Sequence, residues 1–356
     1  MGELTELMTS HPDPTRKNRF AATGLLILTA FIWGMCFVAQ RSSMEHMGPF
    51  LFNGLRQVLG ALTLLVVMAG ISLLARLKKR GRFSQAAGGD ASVTEHLGAE
   101  AAKRNTELHA QKRLLGTRSL IRSGIICGVV LFVASNLQQV GMVTTTASKA
   151  GFITTLYIVL VPLVGIVFAH KTHWNTWLSV GIAVVGLYLL CISESFKIAS
   201  GDLLLLICAL FWALHILFVD RYVHGLSQRE VMKLCVVQFS VTALLSLICA
   251  PLLDRLFVDV PFSLYTLYEV LPEIAYAGVL STAVAFTLAA TGQKYAKPSV
   301  AAVVMSLESV FALLGGAVLL NEIMTGRELT GCVLMFAAVI LVQLSFTKNR
   351  KKPQSG

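Results

Sequence analysis

Apolar residues in this chain gather into long, nearly unbroken blocks, and polar residues are largely confined to the breaks between them. The blocks fall near 20–40, 49–75, 120–142, 150–169, 174–193, 201–220, 231–253, 270–290, 298–320 and 329–346. Most approach the ~20 residues with which an α-helix crosses a hydrocarbon core ~30 Å thick. They read as membrane spans rather than as core helices of a soluble domain. The pattern predicts an all-α integral membrane protein with ten transmembrane helices, arranged as two inverted five-helix repeats. Five is odd, so a second half that repeats the first enters the membrane from the opposite side. Inverted repeats of this kind are typical of secondary transporters, whose substrate sites lie near the midplane between the halves.

The expected organisation is an N-terminal tail over 1–19, a first repeat over 20–193, a second over 201–346 and a basic tail over 347–356. A polar insert, 78–118, separates the second and third spans of the first repeat. It carries Ala-Ala-Gly-Gly at 86–89 and a weak helical stretch near Val93–Leu115, and reads as a solvated cytoplasmic loop. The first apolar block continues into a longer membrane pattern without a small-residue cleavage site, so Phe20 onward reads as a retained span and not as a signal peptide.

Composition agrees with the blocks. Hydrophobic residues make up 55% of the chain, charged residues only 14%, and the mean hydropathy is +0.71; a soluble domain averages about 25% charged. The net charge of +11 carries no nucleic-acid motif with it, and no nucleic-acid partner is expected. The cations orient the chain instead. On the side shared by both termini stand 24 of the 30 Lys and Arg residues, eleven of them between Arg76 and Arg122. The opposite side holds five, Arg41, Lys149, Lys197, Arg255 and Arg327, and Arg56 lies within a span. The positive-inside rule then places both termini in the cytoplasm of a plasma (inner) membrane.

Two stretches repeat along the chain. ILTAFIWGMCFVAQRSSMEHMGPF, from Ile27, matches LICALFWALHILFVDRYVHGLS, from Leu206, with Trp33 opposite Trp212. TASKAGFITTLYIVLVPLVG, ending at Gly165, matches AKPSVAAVVMSLESVFALLGG, ending at Gly316. Order and spacing agree in both halves, as an internal duplication requires. Through FIWGMCFVAQR, AGFITTLYIVLVP and LESVFALLGG followed by Asn321-Glu322, the chain resembles the EamA-type transporters of the drug/metabolite transporter superfamily. The resemblance covers nearly everything outside 1–19 and 78–118. It implies ten helices as five plus five and export of amino acids or other small metabolites. One departure stands out. Ser309 occupies a position where the family usually has proline, so the bend of that span is expected to weaken, while Pro162 keeps its counterpart in the first half.

Charge inside a bilayer is costly, so each ionisable residue in a span is a candidate for function. Glu308 lies about ten residues into a span that starts near Pro298, hence about 15 Å deep. A carboxylate there can bind a proton, pair with a substrate's ammonium group, or serve as a structural hydrogen-bonding group between helices. Trp33 and Trp212 stand mid-span, although membrane tryptophans favour the interfaces. They read either as aromatic walls of a cavity or as packing residues inherited by duplication. Arg56 either snorkels to the outer interface, the reading favoured by its position, or binds a carboxylate. Asn53 and Gln57 would wet its surroundings. Asn136, Gln138 and Gln139 put amides into the third span, and at least one must meet a cavity or a partner helix. Thr154, Thr155 and Tyr157 share the fourth span, with Tyr157 read first as a packing aromatic. His215 can titrate near neutral pH or act as an interhelical donor. Ser281 and Thr282, then Thr291 and Gln293, are weaker candidates. Of these, Glu308, Trp33, Trp212, Arg56, Asn136, Gln139, Tyr157, Thr154, His215 and Ser281 form the expected substrate-binding set.

Several classes are set aside. The seven cysteines lie in or beside apolar blocks without a CxxC pair, so neither a metal nor a disulfide is expected. Neither HExxH, GxSxG nor a pair of intramembrane aspartates occurs, and an enzyme is not expected. A GxxxxGK[ST] loop is absent, which argues against ATP drive from this chain. No cofactor is expected. The expected partners are a small-molecule substrate, the lipid bilayer and protons as a candidate coupling ion, with the choice between monomer and homodimer open. Transport of sugar phosphates or nucleotide sugars, and a sensor or scaffold role for 78–118, stand as alternatives.

Overall fold

The computed structural model describes residues 16–86, 98–144, 147–167, 172–191, 200–258, 263–319 and 325–348. Among these, helix accounts for nearly everything and there is no strand. That is the expected result for apolar blocks in a solvent that offers no hydrogen bonds, because a helix satisfies its backbone within its own segment. In chain order the helices are α1 (Arg16–Ser43), α2 (Pro49–Ala86), α3 (Gly98–Thr144), α4 (Ala147–Thr155), α5 (Tyr157–Val167), α6 (Trp174–Cys191) and α7 (Ser200–Val223). They continue as α8 (Gln228–Phe257), α9 (Leu264–Glu269), α10 (Leu271–Ala275), a π-helical run (Tyr276–Ala285), α11 (Phe286–Gln293), α12 (Pro298–Met305), α13 (Glu308–Leu319) and α14 (Gly326–Lys348).

Eight helical segments among the described residues are long and apolar enough to cross a membrane: 18–43, 49–77, 116–144, 150–167, 201–223, 228–257, 271–293 and 326–343. Two shorter apolar helices, Trp174–Leu189 and Pro298–Leu314, occupy the places of the remaining two expected spans. Helix α1 starts at Arg16, inside the stretch read as a polar tail. The ends of the 78–118 insert are helical rather than loop. Helix α2 continues to Ala86 and α3 already begins at Gly98, so polar helix extends both spans beyond their apolar parts.

Helix α2 packs along α8, α6 along α14, and α3 along both α7 and α8. Helix α1 lies against the π-helical run, α11 and α13. Its course is antiparallel to 271–293: Trp33 Nε1 donates to the Ser281 carbonyl at 3.2 Å and Thr29 Oγ1 to the Ala285 carbonyl at 3.2 Å. Large apolar side chains such as Val66, Leu74, Ile166, Leu252, Val333 and Ile340 are exposed on the outside of the bundle. Lipid, not water, is the medium that such a surface requires.

The two largest of five apolar clusters among the described residues fill much of the bundle. One gathers Tyr157, Ile158, Val161, Val180, Leu187, Ala301–Met305 and Met335; the other gathers Leu131, Leu234, Phe239, Ala283 and Phe286. Trp33 and Trp212 pack against both, so the two tryptophans stand at the seam between the cores. Gly34 brings α1 onto α13 at the same level. A Cβ added there would lie 2.8 Å from Phe311 Cβ and against the Glu308 carbonyl oxygen, closer than any larger residue permits.

Candidate functional site

The helix of each half that was expected to bend is interrupted. In the first half the interruption is at Leu156, between α4 and α5. Leu156 N–H donates to the Ile153 carbonyl at 3.2 Å, and Val159 N–H to the Leu156 carbonyl at 3.0 Å, both three-residue bonds. In the second half it is at Ser306–Leu307, between α12 and α13. Leu307 N–H donates to Val304 at 3.3 Å and Ser309 N–H to Ser306 at 3.2 Å. The helix is thus interrupted with Ser309 in the place where the family usually has proline. The break needs no proline, because the Ser306 hydroxyl takes the Val303 carbonyl at 2.7 Å and three-residue bonds tighten the turn.

The two interruptions meet. Tyr157, first residue of α5, donates its hydroxyl to Glu308 Oε1 at 3.0 Å, and Glu308 is the first residue of α13. Thr155 Oγ1 lies 3.4 Å from the same oxygen and 3.0 Å from the Ser309 hydroxyl. Glu308 is 5% exposed. No basic residue among those described pairs with it; hydroxyls and the positive end of α13 are its stabilising neighbours. Tyr157 is thus a direct partner of Glu308 and not only a packing aromatic.

Glu308 and Tyr157 face a cavity of about 700 Å³, counting the space at its mouth. Trp33, Trp212, Arg56, Thr154, His215 and Ser281 line it with them, as do Phe37, Gln40, Gln138, Gln238, Phe286, Gln293 and Met305. Eight of the ten residues singled out in the sequence therefore share one cavity. Gln40, near the C-terminal end of α1, and Gln293, at the end of the antiparallel α11, lie towards opposite ends of it.

One wall is aromatic. The Phe286 ring stands 4.9 Å from Trp33, 6.0 Å from Trp212 and 5.6 Å from Phe239 by ring centroids. The two tryptophans are 6.2 Å apart. Both indole N–H groups are used, Trp33 on the Ser281 carbonyl and Trp212 on Gln138 Oε1 at 2.8 Å. His215 Nε2 is 3.2 Å from Gln238 Oε1, across α7 and α8. The π-helical run that carries Ser281 widens the backbone beside Trp33, a distortion found frequently at functional sites.

Arg56 does not snorkel outward. It is 4% exposed and lines the cavity, with its guanidinium against the Cys36 thiol and 5.9 Å from the centre of the Phe52 ring. The physical reason is the face of α2 that it occupies: Asn53, Arg56 and Gln57 are all buried against neighbouring helices, while Leu62, Leu65 and Val66 lie outside.

Asn136 and Gln139 lie outside the cavity lining. Asn136 Nδ2 donates to the Ser246 hydroxyl at 2.9 Å and its Oδ1 accepts from Asn53 Nδ2 at 3.1 Å. Gln139 Nε2 donates to the Gln40 carbonyl at 3.0 Å. Both amides join helices. Helix α3 turns Gln138, between them, towards the cavity. Phe286, Gln40 and Gln238 were not singled out in the sequence. An isolated amide in an apolar block was a usable signal for the two glutamines; Phe286 had none. Asn321 and Glu322 of the family pattern, and the side chain of Lys149, lie outside the described residues.

A multi-pass helical membrane protein with a largely apolar cavity, carrying a few buried polar groups at interrupted helices, has the architecture of a membrane transporter. The comparisons agree. Residues 199–344 match the EamA-like transporter family. A protein of Archaeoglobus fulgidus named as an uncharacterized transporter is 29% identical over 329 residues, covering 92% of this chain and 87% of its own length. Together they bear out the resemblance seen in the sequence to the EamA-type transporters of the drug/metabolite transporter superfamily. A solved crystal structure shares the fold, with a TM-score of 0.65 at 17% identity over 93% of this chain and 99% of that one.

Proposed function

We propose that this transporter is a secondary exporter of small metabolites, such as amino acids or amphipathic compounds, working by alternating access around the cavity. The observation that carries the reading is Glu308, a buried carboxylate at a helix interruption, held by Tyr157 and Thr155 from the other half of the chain. Any ligand or proton that takes Glu308 acts on the joint between the halves. The helix contacts support ten spans as two inverted repeats, 20–193 and 201–346. The second helix of one half packs on the second of the other, α2 on α8, and the fifth on the fifth, α6 on α14, as a pseudo-two-fold relation produces. The charge count supports cytoplasmic termini in a plasma membrane. Glu308 makes protons the candidate coupling ion.

Sugar phosphates and nucleotide sugars fit less well. A phosphate dianion favours a cluster of cations, and Arg56 is the sole Lys or Arg among the described lining residues. Proteoliposomes loaded with amino acids, nucleosides, sugar phosphates or cationic dyes, with and without a pH gradient, test the reading. The expected outcome is saturable flux of an amino-acid-like or amphipathic class that falls at least ten-fold in Glu308→Gln. Unchanged flux and unchanged pH dependence in that variant would remove Glu308 from the mechanism.

A further inference from the structure

Two lining residues from the first half of the chain, Arg56 and Gln138, offer hydrogen-bond donors to the cavity. Arg56 is buried to 96% of its surface by its 4% exposure, yet no carboxylate among the described residues pairs with it, and its Nε is buried without a partner. A guanidinium carries five N–H donors and no acceptor. Held without a counter-charge inside a membrane protein, it is costly unless an anion visits it. Gln138 supplies the second donor. Which end of a glutamine amide is oxygen normally rests on assignment, but here chemistry decides it. The Trp212 indole can only donate, and at 2.8 Å it holds the oxygen end. The NH₂ end of Gln138 is left to the cavity that the residue lines, with no partner among the described residues. The one carboxylate among the described lining residues, Glu308, is engaged with Tyr157 and Thr155.

We propose that the Arg56 guanidinium and the Gln138 amide form an anion subsite that binds a carboxylate of the transported compound. The inference rests on the transport reading and specifies its substrate class. A single guanidinium with one neutral donor matches the charge of a carboxylate and the two oxygens it presents to a guanidinium fork. It leaves a phosphate dianion half neutralised. The aromatic wall of Trp33, Trp212 and Phe286 borders the subsite through the Trp212–Gln138 bond, so the favoured compound joins its carboxylate to an apolar body.

Phenylglyoxal labelling of arginine tests this on the full-length protein in lipid nanodiscs, with the Arg56 adduct quantified by peptide mass spectrometry. The probes are matched pairs, L-phenylalanine against phenylalaninol and 3-phenylpropionate against 3-phenylpropanol, with phenyl phosphate as a third arm. Arg56 is expected to label in the free protein and to be protected by the carboxylates but not by the alcohols. In Gln138→Leu, which is close in size, the carboxylate concentration for half-protection is expected to rise about ten-fold, the loss of one donor to a charged group. No Arg56 adduct in the free protein, no protection by either carboxylate, or equal protection by the alcohols overturns the subsite. Better protection by phenyl phosphate overturns the carboxylate assignment. Flux measured in parallel separates the two readings. Flux without carboxylate protection leaves the transporter and removes the subsite; protection without flux does the reverse.

Discussion

Glu308, Arg56 and Trp33 each put an unfavourable group where a bilayer protein normally avoids it. Glu308 has hydroxyl partners and no basic residue of the protein beside it, so exchanging it for glutamine keeps the shape and removes the titratable site. Flux in Glu308→Gln is expected to lose its dependence on pH, read from exchange rates at pH 6 to 8. Tyr157→Phe keeps the ring and deletes the hydroxyl that bonds Glu308. Losing a hydrogen bond to a charged group costs about 1.5–3 kcal/mol, and the measurement is the unfolding midpoint in detergent together with the pH profile of flux. A lower midpoint without a moved profile would make Tyr157 a structural partner only. Trp33→Phe keeps an aromatic wall but gives up the N–H bond to the Ser281 carbonyl. It is expected to weaken transport less than Trp33→Ala, by apparent affinity in the same vesicles.

The breaks in the helices matter more than the helices. An apolar block of about twenty residues specifies a span but not where it is interrupted. Leu156 and Ser306–Leu307 hold no glycine or proline, and short-range propensity does not mark them. Pro162 was legible in sequence, yet it lies within α5, beyond the break. Gly34 was legible only as one small residue among several, and its role follows from the α1–α13 crossing over Glu308. Gly34→Ala is expected to destabilise by about 1–3 kcal/mol through overpacking, and Gly34→Leu to prevent folding, judged by unfolding midpoints and by monodisperse yield. A second junction joins the halves at the N-terminal end of α2. Asp254 of α8 accepts from Phe50 N–H at 2.8 Å and Leu51 N–H at 3.0 Å, capping α2 from another helix. Asp254→Ala is expected to cost about 1 kcal/mol, the usual loss of a cap.

Across the whole molecule, the described lining of the cavity comes from α1, α2, α3, α7, α8, the π-helical run, α11 and the two interrupted helices. The residues proposed to bind substrate all lie outside 87–97, and removing that stretch is expected to leave flux within about two-fold, read in proteoliposomes at matched protein density. A large loss would favour a docking or sensing role for the insert.

The amino-acid pattern by itself determined the helical class, the approximate positions of the apolar segments and the candidates Glu308, Trp33, Trp212, Arg56 and Tyr157. These follow from solvent: a bilayer demands apolar helices of set length and makes every exception conspicuous. The tertiary structure decided which exceptions share a space. It gathered eight of the ten candidates around one cavity, turned Asn136 and Gln139 into interhelical ties, aimed Arg56 inward and brought the two helix breaks together at the Tyr157–Glu308 hydrogen bond. Which face of a helix looks inward depends on how helices cross. In lipid that is set by close packing and interhelical hydrogen bonds between residues far apart in the chain, which a hydropathy pattern along one strand of sequence does not record.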